Sequence, residues 1–422
     1  MTHPGSRKLS EYPEIQRKIT RTLFLSQSVV SAALITTGTV NAIAGAALSG
    51  NVAWAGLPSA VLLLSAAFGA LVWGVVMDRA GRRKGLVSGL GLGVLGGISA
   101  GTAIWQGSFL LFLLGMGLFG VARAVMQLGR FAAAEVSPTE ERGRAIATVV
   151  LGGTVGSVAG PLLVGPSGII TQRLGLSELA GPYLAALVLF TTAVVIISIW
   201  LRPEPMEIAR KRAAQDQSLH SSPSKPRSIS EIIRQPGIVV AGLAMIIGQV
   251  VMVMIMVITS LHMDALAHPL SSISIVFSAH TFGMFAFSII SGRLADHLGR
   301  EWVIILGSLI LILAGLSAGL SPSILPIAVS LFLLGLGWNF CYVAGSTLLT
   351  DHLTRAEQTR TQGFNDLFVG IASAVGSLGS GYFYAAVGYQ NMGFIGAGLS
   401  ILPLAVAVWW LRNKTQLSVT PG

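Results

Sequence analysis

The sequence predicts an all-α membrane protein of twelve transmembrane helices, arranged as two six-helix halves with pseudo-twofold symmetry. Three observations predict it. Apolar runs of about 18 to 25 residues recur along the chain without the alternation of a barrel strand. Charged residues make up only 10% of the 422 residues, against roughly a quarter in soluble domains, and the mean hydropathy is +0.74. Several short strings also recur at nearly constant offset between the first and second half of the chain.

The runs place spans at 20–48, 57–77, 85–106, 108–133, 145–170, 180–201, 237–261, 271–294, 303–320, 323–350, 361–386 and 390–411. Helices follow because lipid satisfies no backbone polar group. The 51 glycines suit helices that approach closely or bend in a bilayer. Of the 27 Lys and Arg, 25 fall in the N-terminal stretch through Arg21 and in 78–84, 130–144, 202–235, 293–300, 355–360 and the C-terminus. Arg123 lies within a span and Arg173 on the opposite side. That is the positive-inside pattern, and it puts both termini in the cytoplasm of a multi-pass plasma (inner) membrane protein. The net charge of +10 therefore marks topology and anionic lipid headgroups, not a nucleic-acid partner. The first residues are polar, so no cleavable signal peptide is expected and the first span is the insertion signal. The single Cys341 excludes an internal disulfide and a cysteine-cluster metal site.

Residues 202–236 are the long polar segment, with Pro203, Pro205, Pro223 and Pro226 among Ser, Lys and Arg, and read as a cytoplasmic linker. The expected organisation is a cytoplasmic segment 1–19, a bundle 20–201, the linker, a bundle 237–411 and a tail 412–422. The halves repeat. Gly74-Val-Val-Met-Asp78-Arg-Ala-Gly81-Arg82 returns as Gly292-Arg-Leu-Ala-Asp296-His-Leu-Gly299-Arg300, at an offset of 218. Leu111-Phe-Leu-Leu-Gly115 returns at Leu331, offset 220, and Glu141-Arg-Gly-Arg144 is echoed by Glu357-Gln-Thr-Arg360, offset 216. Parallel six-span repeats are one transporter architecture.

The loop after spans two and eight resembles the signature loop of the major facilitator superfamily, and the resemblance covers nearly the whole chain. It implies the major facilitator fold and secondary transport by alternating access. Physically, Gly74 and Gly292 are expected to permit close helix contact, and Gly81 and Gly299 a tight turn with positive φ. Asp78 and Asp296 would accept hydrogen bonds from a neighbouring helix N-terminus or from Arg82 and Arg300, as a latch. Span five, Gly152-x-x-x-Gly156-x-x-x-Gly160-Pro161, presents a flat small-residue face and a bend. It resembles the glycine-rich motif of proton-coupled antiporters, with Val164 replacing a usual glycine.

Charges inside spans are costly and usually functional. Arg123 resembles the span-four arginine of the superfamily, and it and Asp366 are charge-coupling candidates; protons are one candidate coupling ion, and the sequence leaves the ion open. Arg130 and Glu135 lie near enough to an interface to snorkel and are set aside. Six of the 12 methionines fall between 245 and 284, with three of the 7 histidines. Met245, Met252, Met256 and Met263 lie within about 20° of one line along span seven and rise roughly 27 Å. His280 and Met284 stand one turn apart in span eight, and Met252 and His280 should be nearly level. Thioether and imidazole suit Cu(I), while methionine also serves as an adaptable packing residue.

Met252-x-x-x-Met256 and His280-x-x-x-Met284 are similar to motifs of the CcoA-like copper importers, which supply copper for assembly of cbb3-type cytochrome oxidase. That resemblance implies Met252, Met256, His280 and Met284 as ligands of a copper ion carried as substrate, with Met245, Met263 and His262 as entry or relay positions. Relatives of that group carry riboflavin. Copper uptake is thus the first expectation, with riboflavin or another small organic solute, or proton-coupled drug efflux, as alternatives. No phosphate loop or metalloprotease helix motif is present, so an enzyme is not expected. Nor is a permanently bound cofactor expected, and a monomer is the default.

Overall fold

The computed structural model describes residues 12–138, 141–215 and 227–419. Every regular element among them is helical. The first half comprises α1 (Tyr12–Ser49), α2 (Leu57–Ala80), α3 (Arg82–Gln106), α4 (Phe109–Glu135), α5 (Arg142–Ala159), α6 (Val164–Arg173) and α7 (Gly181–Trp200). Two short helices follow, α8 (Pro205–Gln215) and α9 (Ile229–Ile233). The second half comprises α10 (Pro236–Ala265), α11 (Leu270–Phe285), α12 (Ser288–Leu298), α13 (Arg300–Ser317), α14 (Ile324–Asp351) and α15 (Arg355–Val419).

Eleven continuous helical stretches among the described residues are long and apolar enough to cross a bilayer. The last, Thr361–Asn413, holds two helices, because α15 turns at Gly388, where φ is +77°. Spans eleven and twelve of the sequence reading therefore correspond to the two arms of α15. Span five divides at Pro161. Proline has no N–H, so the chain tightens into a 3-10 turn over Pro161–Leu163 before α6 resumes. The Gly160 carbonyl there accepts from Leu163 N at 3.0 Å and from Thr36 Oγ1 at 2.7 Å.

Span eight also divides, between α11 and α12, with no proline to announce it. A break within lipid must be satisfied by protein, and Asn339 of α14 does this. Its Nδ2 donates to the Met284 carbonyl at 2.6 Å and to Ser288 Oγ at 2.8 Å. Its Oδ1 accepts from Ser291 Oγ at 2.8 Å.

The chain divides into two compact units, Met1–Thr37 with Leu64–Ser221, and Gly38–Leu63 with Ser222–Gly422. This boundary differs from that of the sequence repeat, since the end of α1 and the start of α2 pack with the second unit. There Ser377 Oγ of α15 donates to the Gly56 carbonyl at 2.9 Å. In the first unit α3 packs on α4 and α7, with Phe119 and Phe190 stacked at 5.3 Å. The glycine face of α5 lies on α1. A Cβ at Gly152, Gly156 or Gly160 would stand 2.4, 1.9 or 2.7 Å from the carbonyl oxygens of Phe24, Ser28 and Ala32. Three glycines at four-residue spacing thus meet three carbonyls at the same spacing. In the second unit α10 packs chiefly on α15 and α14, α13 on both of these, and α11 on α14.

Candidate functional site

The two signature loops are built alike. Gly81 and Gly299 adopt φ of +95° and +99°, which lets each turn reverse directly into the next helix. Arg82 Nη1 lies 2.9 Å from Asp78 Oδ1, and Arg300 Nη2 lies 3.1 Å from Asp296 Oδ1. A second carboxylate completes each group. Arg82 forks onto Glu135 at the end of α4, with Nε 3.0 Å and Nη2 2.5 Å from its two oxygens. Arg300 Nε donates to Asp351 at the end of α14 at 2.9 Å. Glu135 and Asp351 are related by the same offset of 216 that links Glu141 to Glu357.

Of the two partners expected for Asp78, Arg82 is the one it meets, and the acceptor at the N-terminus of α3 is Glu204 of the linker, which takes the backbone N–H of Arg82 at 2.6 Å and of Arg83 at 3.2 Å. A carboxylate there neutralises the unpaired N–H groups of the first turn. Glu135, set aside as a snorkelling residue, is an ion-pair partner; its long side chain reaches the loop because α4 ends there. Among the described residues a Cβ at Gly74 or Gly292 would meet nothing within 4 Å, so no close helix contact is made at those glycines.

The segment preceding each half reaches the second repeated acid. Gln16 Nε2 donates to Glu141 Oε2 at 2.8 Å. Arg227 donates from Nε and Nη2 to Glu357 at 2.8 and 2.7 Å, and from its backbone N at 2.9 Å. Thr354 N adds a fourth bond at 3.0 Å. Held chiefly by the Arg227 guanidinium, the Glu357 carboxyl sits well below its ordinary value of 4.5. A depressed carboxylate stabilises the fold above its unfolded pKa and loses that contribution as pH falls toward the folded value. Wild-type thermal stability is therefore expected to exceed that of Glu357→Gln at pH 7. The gap should shrink as the pH drops below about 4.5, in a size-exclusion thermostability assay at stepped pH. A gap unchanged by pH would assign the effect to packing.

The methionine stripe of α10 begins at Met245, against α14 and α15. Met245 packs on Gly345 of α14, and Asn365 Nδ2 of α15 points to its sulfur at 3.6 Å. Met252 and Met263 are buried, and Met256 is half-buried. Gln249 shares the face, falling within about 60° of the stripe. Its Oε1 accepts from Trp338 Nε1 of α14 at 2.7 Å. Trp338 stacks on Tyr342 at 4.9 Å, and Phe285 of α11 meets it edge-on at 6.4 Å. Gln249, Trp338, Tyr342 and Phe285 are all half-buried. An amide, two stacked rings and thioethers thus share one region of the second unit. His262 stacks on Tyr389 at 4.2 Å, and the Tyr389 hydroxyl lies 2.8 Å from Thr259 Oγ1.

His280 and Met284 turn toward α14. His280 is fully buried, and its Nδ1 lies 2.9 Å from the Leu331 carbonyl. A carbonyl only accepts, so Nδ1 carries the proton and Nε2 of the neutral ring keeps a lone pair. No hydrogen-bond partner meets that Nε2 among the described residues. Gly335 makes the approach possible, since a Cβ there would lie 2.3 Å from the His280 carbonyl. Arg123 is half-buried in α4 and joins no ion pair among the described residues. Asp366 is exposed near the start of α15. Among the described residues no cluster of three His, Cys, Asp or Glu could hold a metal ion.

The sequence matches the Major Facilitator Superfamily over residues 23–271 and 241–422. The chain belongs to this superfamily. It is 34% identical over 403 residues to the uncharacterised MFS-type transporter YdeG of Bacillus subtilis, covering 94% of both chains. It is 27% identical over 372 residues to the riboflavin transporter RfnT of Brucella anthropi, covering 88% of this chain and 90% of that one. The bacterial homologue of the human lysosomal transporter Spinster, solved inward-facing and unoccupied, superposes with a TM-score of 0.72. It has 16% identity and covers 97% and 99% of the two chains. The chain is thus a multi-pass secondary transporter and not an enzyme. Composition and the repeat made that legible; the partners Glu135, Glu204, Arg227 and Asp351 were missed. Setting the two halves in register would have found Glu135 and Asp351 together.

Proposed function

We propose that this transporter carries a small planar heteroaromatic solute of the riboflavin kind across the plasma membrane by alternating access. The observation that carries the reading is the half-buried pair Trp338 and Tyr342, with Gln249 holding the indole. A fused-ring solute offers a flat face to such rings and an edge of N–H and C=O groups to amides. Stacking is worth about 0.5–1.5 kcal/mol beyond area burial. Methionine adapts the remaining wall to the solute's outline. The riboflavin transporter among the relatives supports the same substrate class. The basic loops support cytoplasmic termini, and Arg123, which joins no ion pair among the described residues, supports a proton-coupled cycle.

A riboflavin auxotroph expressing the chain is expected to grow on limiting riboflavin, and one expressing Trp338→Ala to need at least tenfold more. Absence of rescue by the wild type, with raised resistance to lipophilic cations, would move the reading to drug efflux. Copper import in support of oxidase assembly is the second reading, and the buried His280 Nε2, without a hydrogen-bond partner among the described residues, favours it. Under that reading Met252→Leu with Met256→Leu abolishes copper accumulation. Under the organic-solute reading the same volume-conserving change leaves riboflavin uptake within about threefold of wild type.

A further inference from the structure

The first unit holds an open cleft of about 570 Å3 beside the N-terminal end of α1. Its lining is Glu14, Arg17, Lys18, Arg21, Thr22 and Leu25 of α1 with Trp200 at the end of α7. Positions 14, 17, 18, 21 and 25 fall on one face of a helix, so the spacing gathers three cations there. Arg17, Lys18 and Arg21 are exposed, and none joins an ion pair among the described residues. Arg82, Arg227 and Arg300, by contrast, each have a carboxylate partner. Among the described residues Glu14 is the one acid in the lining, against three bases, so the described lining is cationic.

Its polarity is graded along α1. Beyond Arg21 the wall becomes Leu25, 42% exposed, and Trp200 is 48% exposed at the end of its span. Indole rings settle at the headgroup level of a bilayer. An apolar floor below a cationic rim fits a molecule with a phosphate and an acyl chain, and a free phosphate would leave that floor in water. We propose that this cleft binds the phosphate of an anionic phospholipid from the leaflet that faces the basic loops. Arg17, Lys18 and Arg21 hold the phosphate, and Trp200 with Leu25 covers the start of the acyl chains.

The test is native mass spectrometry of the purified full-length protein, titrated with phosphatidylglycerol or phosphatidylcholine. Wild type is expected to retain one phosphatidylglycerol that Arg17→Gln with Arg21→Gln binds at least tenfold more weakly, with phosphatidylcholine unaffected. Trp200→Ala keeps every topogenic charge and is expected to weaken phosphatidylglycerol binding about threefold or more. Arg142→Gln with Arg144→Gln removes two exposed charges elsewhere and is expected to change nothing. Equal loss in both double variants would assign the effect to net charge and overturn the site. Undiminished binding in the first double variant would do the same. Displacement of the lipid by millimolar inorganic phosphate would overturn the lipid assignment.

Discussion

Replacing Gly156 by leucine is expected to leave no monodisperse protein after extraction, and replacing it by alanine to lower thermal stability markedly. Its Cβ would stand 1.9 Å from the Ser28 carbonyl oxygen, where real Cβ atoms keep beyond 3.0 Å. That oxygen is backbone within α1 and cannot rotate away, so α1 and α5 must part by more than 1 Å. Parting them also lengthens the approaches at Gly152 and Gly160, which share the interface. Overpacking of this kind typically costs about 1–3 kcal/mol, and close van der Waals packing drives helix association in lipid. Gly91→Ala is the control. Nothing lies within 4 Å of a Cβ there, and alanine is the better helix former by about 0.5–1 kcal/mol. A Gly156→Ala protein as stable as the Gly91→Ala protein would sink the packing account of span five.

Arg82→Ala is expected to destabilise the protein by about 2–3 kcal/mol, because hydrogen bonds to charged groups contribute about 1.5–3 kcal/mol. Arg82 holds Glu135 through a two-point fork and Asp78 through a third contact. The Arg82 side chain is 17% exposed and that of Glu135 29%, so solvent screens the pair only in part. Removing the arginine leaves Glu135 without its cation, so Arg82→Ala with Glu135→Ala should lose no more than Arg82→Ala alone. Arg82→Lys keeps the charge but not the planar fork and should fall between. Losses that simply add in a thermal-stability double-mutant cycle would show that the two side chains act independently. Arg300 with Asp351 is expected to follow the same pattern at smaller size, since Asp351 is 46% exposed.

How far the sequence reached depends on what each residue's partner was. Span positions follow from hydropathy, which needs no knowledge of neighbours. The glycine turns at Gly81 and Gly299 were legible because their backbone demand is local. The division of span eight was not, because its cause lies on another helix, in the amide of Asn339. The methionine stripe was found by its period, but a period fixes only a face and not what the face meets. Met245 meets Asn365 and Gly345, and Gln249 on the same face meets Trp338. Likewise the position of His280 in span eight does not reveal that its Nδ1 meets the Leu331 carbonyl of α14. Glu204 and Arg227 were hidden in a linker whose composition reads only as polar, although each makes at least two hydrogen bonds to a helix end.

The most direct test of the substrate class uses proteoliposomes containing the purified protein, supplied in parallel with radiolabelled riboflavin and radiolabelled Cu(I). Protein-dependent riboflavin uptake that saturates, falls at least tenfold in Trp338→Ala and survives Met252→Leu with Met256→Leu is the predicted result. Copper uptake that the methionine double change abolishes, with no riboflavin transport by the wild type, would contradict it.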